Sequence, residues 1–367
     1  MSATYGETVR LTIFGESHGK GIGLVLDGVP AGTPVDEDFI RSEMARRAPG
    51  QNLMSTQRKE TDAFIIESGV FEGRAAGTPI CVLIPNSDQH SKDYSILKDT
   101  MRPGHADYAG KVKYRGYNDY RGGGHFSGRL TAPLVWAGAL AKTVLAKEGI
   151  LIGAHIARLA DVTDKAFDPM GEKAETLLAL RTHVLPTLDA DAAPRMEAAV
   201  LAAREALDSV GGVVEVMVTG LPAGLGDPFF DSLESRLAHA LFSVPAVKGL
   251  EFGDGFGIAA LRGSQANDAM HYEGGTVKTL TNHNGGITGG ITNGMPVVFR
   301  AAVKPTPSIA RPQRTVNLAE GRDTVLEIKG RHDPCIVPRA VPVLEAVTAW
   351  TLWDVLLCGQ RGDRDTL

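Results

Sequence analysis

The chain has 367 residues, of which 43% are hydrophobic and 22% are charged, and its formal net charge is −5. This balance is typical of a folded globular protein and excludes a chain that is mainly disordered. No run of about 18 apolar residues is present, so a membrane-spanning segment is not expected. Residues 1–7 have neither the basic nor the apolar part of a secretory signal, and a cytoplasmic location is expected.

Glycine and charge are unevenly distributed. Glycine accounts for 43 residues, while residues 101–131 carry six cations and two acids and residues 160–235 carry fourteen acids and five cations. Bare backbone and arginine together suit the binding of a small anion, so the basic segment predicts such a site. Nucleic acid is disfavoured as a partner, because the chain as a whole is acidic, with a pI of about 6.1, and has no long basic face.

The predicted elements begin with two strands, over 8–14 and 21–26, whose short connection favours an antiparallel hairpin. Asp36 is predicted to cap a helix that ends near Arg47. A second helix, over 131–149, is apolar nearly all round, which predicts that it is buried between layers.

The rest of the chain continues to mix helices and strands. Further helices are predicted over 194–209, 227–242 and 338–357, and further strands over 213–218, 297–303 and 325–328. Short connections between them predict an α+β fold with antiparallel sheets and helices sandwiched against them. No repeat and no low-complexity linker divides the chain, so a single domain over 1–367 is expected.

Four segments combine glycine with residues that a turn alone does not require. They are residues 15–19, residues 102–129, residues 282–294 with the following 304–308, and residues 330–335. In the second, three consecutive glycines would let backbone N–H groups approach an anion, and arginines could bind its oxygens in pairs. Each segment alone could be an ordinary turn, surface loop or helix cap. No Walker loop, GxSxG elbow or histidine pair with metal-ligand spacing occurs, and no metal is expected.

Together these segments closely resemble the chorismate synthase family, and the resemblance spans nearly the whole chain. The resembling motifs, in chain order, are residues 14–19, 27–32, 46–50, 56–58, 102–108, 121–124, 127–131, 246–249, 253–256, 285–290, 304–306 and 330–335. The resemblance implies removal of phosphate from 5-enolpyruvylshikimate 3-phosphate by 1,4-anti elimination, which gives chorismate. It also implies a requirement for reduced FMN without net redox change, a β-α-β sandwich with helices packed between two antiparallel sheets, and a homotetramer.

The resemblance also assigns roles to individual residues. His105 would protonate the leaving phosphate, His18 would protonate the reduced flavin, and Asp333 would act with the flavin in removing the hydrogen. Substrate binding is implied for Ser17, Arg47, Ser127, Arg129 and Arg331. FMN binding is implied for His125, Phe126, Ser127, Pro245, Ala246, Gly289, Lys304, Pro305, Thr306, Pro307, Ser308 and Arg331. Arg47 would also contact NADP, since NADPH is a possible reductant of the flavin.

Two other classes of function stay open at this stage. An NADPH-dependent flavin oxidoreductase would use a similar FMN groove, but it would consume NADPH in proportion to product. A non-catalytic module that binds anions or RNA through its Arg-Gly segments would lose affinity steeply as salt is added.

Overall fold

The computed structural model describes residues 3–50, 62–86, 96–328 and 333–364, with side chains up to residue 359. The helices are α1 Glu37–Arg47, α2 Asp107–Lys113, α3 Thr131–Lys147, α4 Ala174–Leu180, α5 Ala192–Glu205, α6 Leu233–Leu241, α7 Gly263–Ala266 and α8 Val337–Arg364. Short 3-10 turns are found at Arg121–Phe126, Gly128–Leu130, Phe229–Asp231 and Gly255–Ala260. The motif at 56–58 and the predicted site residue Arg331 lie outside the described residues.

Within these ranges, the strands form two five-stranded antiparallel sheets. The first has the order β1-β2-β3-β7-β4, with bounds β1 Thr4–Tyr5, β2 Arg10–Gly15, β3 Gly21–Asp27, β7 Ile80–Pro85 and β4 Ile65–Ser68. The second has the order β11-β16-β10-β8-β9, with bounds β11 Val247–Phe252, β16 Val297–Val303, β10 Gly212–Thr219, β8 Leu151–Leu159 and β9 Val162–Thr163.

Four two-stranded hairpins project from this framework. They pair β5 Val70–Phe71 with β6 Arg74–Ala75, β12 Met270–Glu273 with β13 Thr276–Thr279, β14 Ile287–Thr288 with β15 Ile291–Thr292, and β17 Gln313–Asn317 with β18 Arg322–Leu326. The mixture of helices with antiparallel sheets confirms the predicted α+β class.

Helices α3 and α8 form the centre of the core. Helix α3 contacts β2 and β3 of the first sheet and β8 of the second, whereas α8 packs along α3 and contacts β8 and β10. Most of their buried side chains are apolar, and Trp136, Leu140, Leu344 and Leu352 are fully buried. The segment Val337–Gly359 of α8 is long and apolar enough to cross a membrane, but 83% of its most apolar window is buried inside the protein, as in a core helix.

Most predicted elements are confirmed, with local differences that have physical causes. The Asp36 side chain accepts a hydrogen bond from Phe39 N, which caps α1 as predicted. The helix predicted over 227–242 is instead a 3-10 turn followed by α6, because Ser232 is extended and its hydroxyl caps the new helix at Ser235 N. The strand predicted over 325–328 was wrong in its bounds: the observed strand is β18, which pairs with β17.

Candidate active site

Residues distant in the sequence line one cavity of about 530 Å³. The cavity lies where the C-terminal end of α1, the turn before α2, the 3-10 turns before α3, and the start of α8 converge. The segment after α6 and the loop after β16 complete its wall. Three of the four segments singled out in the sequence, those at 102–129, 304–308 and 330–335, therefore contribute to one space.

At one end of the cavity, His105 is held by a buried carboxylate. Its Nδ1 lies 2.7 Å from Asp107 Oδ1, and the Asp107 side chain is only 5% exposed. Arg102 donates to the same carboxylate from Nε at 2.7 Å and from Nη2 at 2.8 Å. Burial raises the pKa of Asp107, but the hydrogen bonds from Arg102 and His105 outweigh it and hold that pKa well below its usual range. Asp107 is therefore an anion at any working pH.

The glycine turn separates the two predicted catalytic histidines. Gly122 and Gly123 both have positive φ, at 57° and 87°. A Cβ on Gly123 would lie 3.0 Å from His105 Cε1 and 3.1 Å from its Nε2, and a Cβ on Gly122 would overlap the His18 ring. Both the backbone conformation and the close approach therefore require glycine. The close approach of two imidazoles explains Gly122 and Gly123, while a Cβ on Gly124, at a φ of 54°, would overlap the carbonyl oxygen of Asp119.

At another wall of the cavity, Arg47 and Arg129 share the buried carboxylate of Asp62. Arg47 Nε donates to Asp62 Oδ2 at 2.9 Å, and Arg129 Nη1 contacts Asp62 Oδ1. Burial raises the pKa of Asp62, but the two guanidinium groups outweigh it and lower the pKa below its ordinary value. One carboxylate thus orients two permanent cations, and the pair keeps a net positive charge beside the cavity.

Asp333 lies just before α8 and forms an ion pair across the start of that helix. Its Oδ2 lies 2.5 Å from Arg339 Nη1, and Arg339 Nε donates to the carbonyl oxygen of Arg47 at 2.9 Å. Arg339 therefore ties Asp333 to the end of α1, next to the arginine pair. The neighbouring Cys335 is buried, and burial raises the pKa of its thiol to about 12, which disfavours thiolate chemistry there.

The loop after β16 supplies polar groups that suit a phosphate. Lys304 Nζ donates to the carbonyl oxygen of Gly104, and Ser308 Oγ accepts from Arg102 Nη1 at 3.2 Å. The buried hydroxyl of Thr306 has no hydrogen-bond partner among the described residues, although Thr306 lines the cavity. A buried hydroxyl in that position requires a partner from a ligand or water. The loop therefore fits the phosphate group of a bound ligand.

The structure brings most of the predicted site residues to the cavity. Those that line it are Arg47, His105, His125, Phe126, Ser127, Arg129, Pro245, Ala246, Lys304, Thr306, Pro307, Ser308 and Asp333. Ser17 and His18 do not line it but lie directly behind Gly122, where Ser17 Oγ is 3.0 Å from His18 Nδ1. Pro305 lies within the phosphate-suited loop without lining the cavity.

Gly289 is separated from the cavity in this chain. It lies in the turn between β14 and β15, and the adjacent Gly290 accepts a hydrogen bond from Leu233 N at the start of α6. The cavity is at the opposite end of that helix, beyond Leu241, where Phe242 is part of its wall. The single chain therefore does not bring Gly289 together with the other predicted flavin-binding residues.

Sequence reasoning missed Asp62, Asp107 and Arg339 as parts of the site. Asp107 and Arg102 stand in the same short segment as His105, so their proximity to it was available as a signal. Asp62 and Arg339 carried no comparable signal, because Asp62 lies 67 residues from Arg129 and Arg339 resembles any cation in the first turn of a helix.

Comparison with known proteins gives a consistent result. The sequence profile described as chorismate synthase matches residues 9–357. The chain is 49% identical to the chorismate synthase of Methanocella arvoryzae over 97% of this chain and 94% of that protein. It is also 49% identical to the chorismate synthase of Thermococcus gammatolerans over 96% of this chain and 97% of that protein.

The fold agrees with these sequence matches. A crystal structure of a chorismate synthase superimposes with a TM-score of 0.73 at 31% sequence identity, covering 96% of this chain and 93% of that one. The matched region covers nearly the whole chain, far more than the cavity-lining motifs. The chain therefore belongs to the chorismate synthase family, whose members are lyases that make chorismate.

Proposed function

We propose that this enzyme converts 5-enolpyruvylshikimate 3-phosphate to chorismate by 1,4-anti elimination of phosphate in the cavity, with reduced FMN as cofactor and no net redox change. The observation that carries the proposal is the convergence of Arg47, His105, Arg129 and Asp333 on one cavity. That set combines permanent cations, a proton donor and a carboxylate, which are the groups the reaction needs.

The substrate carries two carboxylates and a phosphate, so its binding requires fixed cations. Arg47 and Arg129 supply two of them, and their shared bond to Asp62 holds both guanidinium groups in place before the substrate arrives. Ser17, Ser127 and Arg331 are proposed to add further contacts to the substrate. Preorientation of the cations lowers the ordering cost of binding a trianionic or more highly charged ligand.

The elimination breaks a C–O bond to phosphate and a C–H bond, and forms a new C=C bond. We assign His105 to the protonation of the leaving phosphate, because its imidazole faces the cavity and its Nδ1 is already held by Asp107. Asp333, fixed by Arg339, is assigned to the removal of the hydrogen as a proton. Reduced FMN, when bound, would supply electron density that weakens the C–O bond. That electron density would return to the flavin by the end of the cycle, so there is no net redox change.

The flavin is proposed to lie against His125, Phe126, Pro245 and Ala246, with its phosphate at the loop after β16. Thr306, with its unpaired buried hydroxyl, and Lys304 are the groups that would hold the phosphate there. His18, behind Gly122, is assigned to protonation of the flavin, and Gly289 and Arg331 complete the proposed set. NADPH is proposed as the reductant, with Arg47 as a contact.

The family resemblance further supports a β-α-β sandwich in a single domain over 1–367, a homotetramer and a cytoplasmic location. The contacts of α3 with strands of both large sheets support the sandwich arrangement. The position of Gly289, away from the cavity of its own chain, agrees with an assembly in which chains associate.

An anaerobic assay tests the proposed function. The purified protein is mixed with chemically reduced FMN and 5-enolpyruvylshikimate 3-phosphate, and phosphate release and chorismate are followed together. We expect one phosphate per chorismate, and many molecules of product for each molecule of reduced flavin added at the start. Consumption of one NADPH per product would instead identify an oxidoreductase, and absence of phosphate release would overturn the proposal.

A further inference from the structure

We propose that Asp107 is the positioning residue of His105: its carboxylate holds the imidazole with Nδ1–H directed to it, so that Nε2 faces the cavity. The inference rests on the proposed function, because it gives Asp107 a role only if His105 is the acid for the leaving phosphate. A His–carboxylate pair of this kind fixes both the tautomer and the orientation of the ring.

Among the described residues, one hydrogen-bond acceptor lies at Nδ1 of His105. His105 Nδ1 is 2.7 Å from Asp107 Oδ1 and 3.0 Å from Arg102 Nη2. The guanidinium group cannot accept a hydrogen from Nδ1, and it already donates from Nη2 to Asp107 Oδ1 at 2.8 Å. If it donated to an unprotonated Nδ1 instead, the Nδ1 lone pair would also face the carboxylate oxygen at 2.7 Å, which is repulsive. The carboxylate can accept that hydrogen, and it is an anion between two cations when His105 is protonated. Nδ1–H therefore donates to Asp107.

The other ring nitrogen of His105, Nε2, faces the cavity. No hydrogen bond from the described residues reaches His105 Nε2, which lies 3.1 Å from the position that a Gly123 Cβ would occupy. The His105 side chain is 15% exposed, while Asp107 behind it is 5% exposed. A phosphate oxygen that approaches from the cavity would thus meet Nε2 and not the carboxylate.

Asp107 is itself held rigidly by Arg102. Two guanidinium N–H groups bind its two oxygens, and the backbone N–H of Arg102 donates to Oδ2 at 3.1 Å. Arg102 Nη1 donates in turn to Ser308 Oγ on the phosphate-suited loop. The carboxylate cannot rotate away from His105 without breaking three bonds in a buried place, so its orientation is set before substrate binds.

Other charged groups share the cavity and influence the same proton. Besides His105 itself and Arg102, the charged or titratable side chains among the described residues that line it are Arg47, His125, Arg129, Lys304, Asp333 and Arg339, whereas Asp107 lies behind His105. Most of these are cations, and Asp107 is the carboxylate in contact with the ring. The change Asp107→Asn would therefore remove a negative charge that contacts the ring.

The variant Asp107→Asn tests the proposal, because the amide retains the shape and loses the charge. We expect single-turnover phosphate release to slow by roughly tenfold or more. We also expect the alkaline limb of its pH–rate profile to move to lower pH by about one unit. FMN affinity, measured by quenching of flavin fluorescence, should stay within about threefold, while Asp107→Glu should restore part of the rate. An unshifted pH profile in Asp107→Asn would overturn the proposal.

The His105→Ala background separates this inference from the proposed function. If Asp107 acts through His105, Asp107→Asn should cause no further loss of rate in that background. An equal loss in both backgrounds would overturn the inference alone. Wild-type rates in His105→Ala would instead overturn the role of His105.

A measurement on the wild-type enzyme covers the case in which Asp107→Asn does not fold. In protein with ¹⁵N-labelled histidine, the His105 signals, assigned by comparison with His105→Ala, report which ring nitrogen carries the proton in the neutral form. Protonation at Nδ1 supports the proposal, and protonation at Nε2 overturns it.

Discussion

His105 and His155 are both bonded to carboxylates, and they differ in how many ring nitrogens those bonds use and in how deeply the ring is buried. His105, at the cavity, is bonded to Asp107 through Nδ1. His155, on β8 in the second sheet, is bonded through both nitrogens, with Nδ1 2.8 Å from Asp164 Oδ2 and Nε2 2.9 Å from Glu215 Oε2. The His155 side chain is fully buried, whereas that of His105 is 15% exposed.

The difference separates a structural histidine from one that can exchange a proton with a ligand. Both His155 nitrogens face carboxylate oxygens, which favours a protonated ring that donates to both and leaves no nitrogen for another molecule. Asp164 also accepts from Leu188 N and Asp189 N, and Glu215 accepts from Phe167 N, so the cluster fastens residues 164–189 to the sheet. His105 has the same kind of partner but keeps Nε2 for the cavity.

The largest effect is expected when each ring is removed in turn and the rate of catalysis is measured. We expect His105→Ala to lower the rate of single-turnover phosphate release by roughly 10²–10⁴-fold, because a positioned general acid is lost. FMN affinity should be kept. The control His155→Ala should retain, per folded molecule, a rate within about threefold of wild type. Equal losses of rate and FMN binding in His105→Ala would show that His105 is misassigned.

The second prediction concerns stability, where we expect the larger loss in His155→Ala and the smaller loss in His105→Ala. His155→Ala should lower the free energy of unfolding by about 3–5 kcal/mol, because Asp164 and Glu215 would be left buried without their cation. Urea unfolding followed by circular dichroism measures this change, with His105→Ala as the matched variant, whose loss should be smaller because its ring is partly exposed. A larger loss in His105→Ala than in His155→Ala would contradict the distinction.

Local sequence signals predicted the parts of the fold and site that depend on neighbouring residues. Asp36 as a cap, the first hairpin and the apolar α3 and α8 all follow from residue patterns within one element. The cavity-lining segments were found from their combination of glycine with charged and polar residues, and the family resemblance then assigned roles to individual residues within them.

Sequence reasoning could not find pairings that are made only by the tertiary fold. The His155 cluster joins residues 9 and 60 positions apart, and none of them stands in a recognisable motif. Asp62 likewise becomes part of the site only because its segment packs against α1 and the turn before α3. The placement of Gly289 depends on which end of α6 meets the cavity, and no local pattern specifies that.

The third prediction tests whether the glycine at position 123 is needed to keep the His105 ring in its place. Gly123→Ala adds a Cβ 3.0 Å from His105 Cε1 at a φ of 87°, so the ring or the turn must shift. We expect about a tenfold loss of phosphate-release rate, together with a strain of roughly 1–2 kcal/mol.

Gly116→Ala is the matched control for Gly123→Ala. Gly116 has a similar φ of 79°, but a Cβ there would have nothing within 4 Å. It should lose comparable stability in urea unfolding and keep the wild-type rate. If the two variants have the same rate, contact with His105 is not what the glycine at 123 provides.

The smallest effect expected is the pH dependence that the His155 cluster gives to stability. Burial lowers the pKa of His155, but the hydrogen bonds to Asp164 and Glu215 outweigh it and raise that pKa above its ordinary value. A raised pKa means that the folded state binds the proton more tightly. The contribution is therefore complete below the unfolded pKa, about 6.5, and is lost as pH rises through the folded value.

The difference in unfolding free energy between wild type and His155→Leu should accordingly shrink as pH rises above about 6.5, with a limiting slope of about 1.4 kcal/mol per pH unit. Asp164, which is bonded to His155, has the opposite pH dependence: its contribution to stability is lost toward acid pH. Burial raises the pKa of Asp164, but its hydrogen bonds from His155 and the backbone lower it overall, so its contribution is lost as pH falls through that lowered value. Urea unfolding at a series of pH values measures both limbs, and a difference that grows toward alkaline pH would show that His155 is neutral in the folded enzyme.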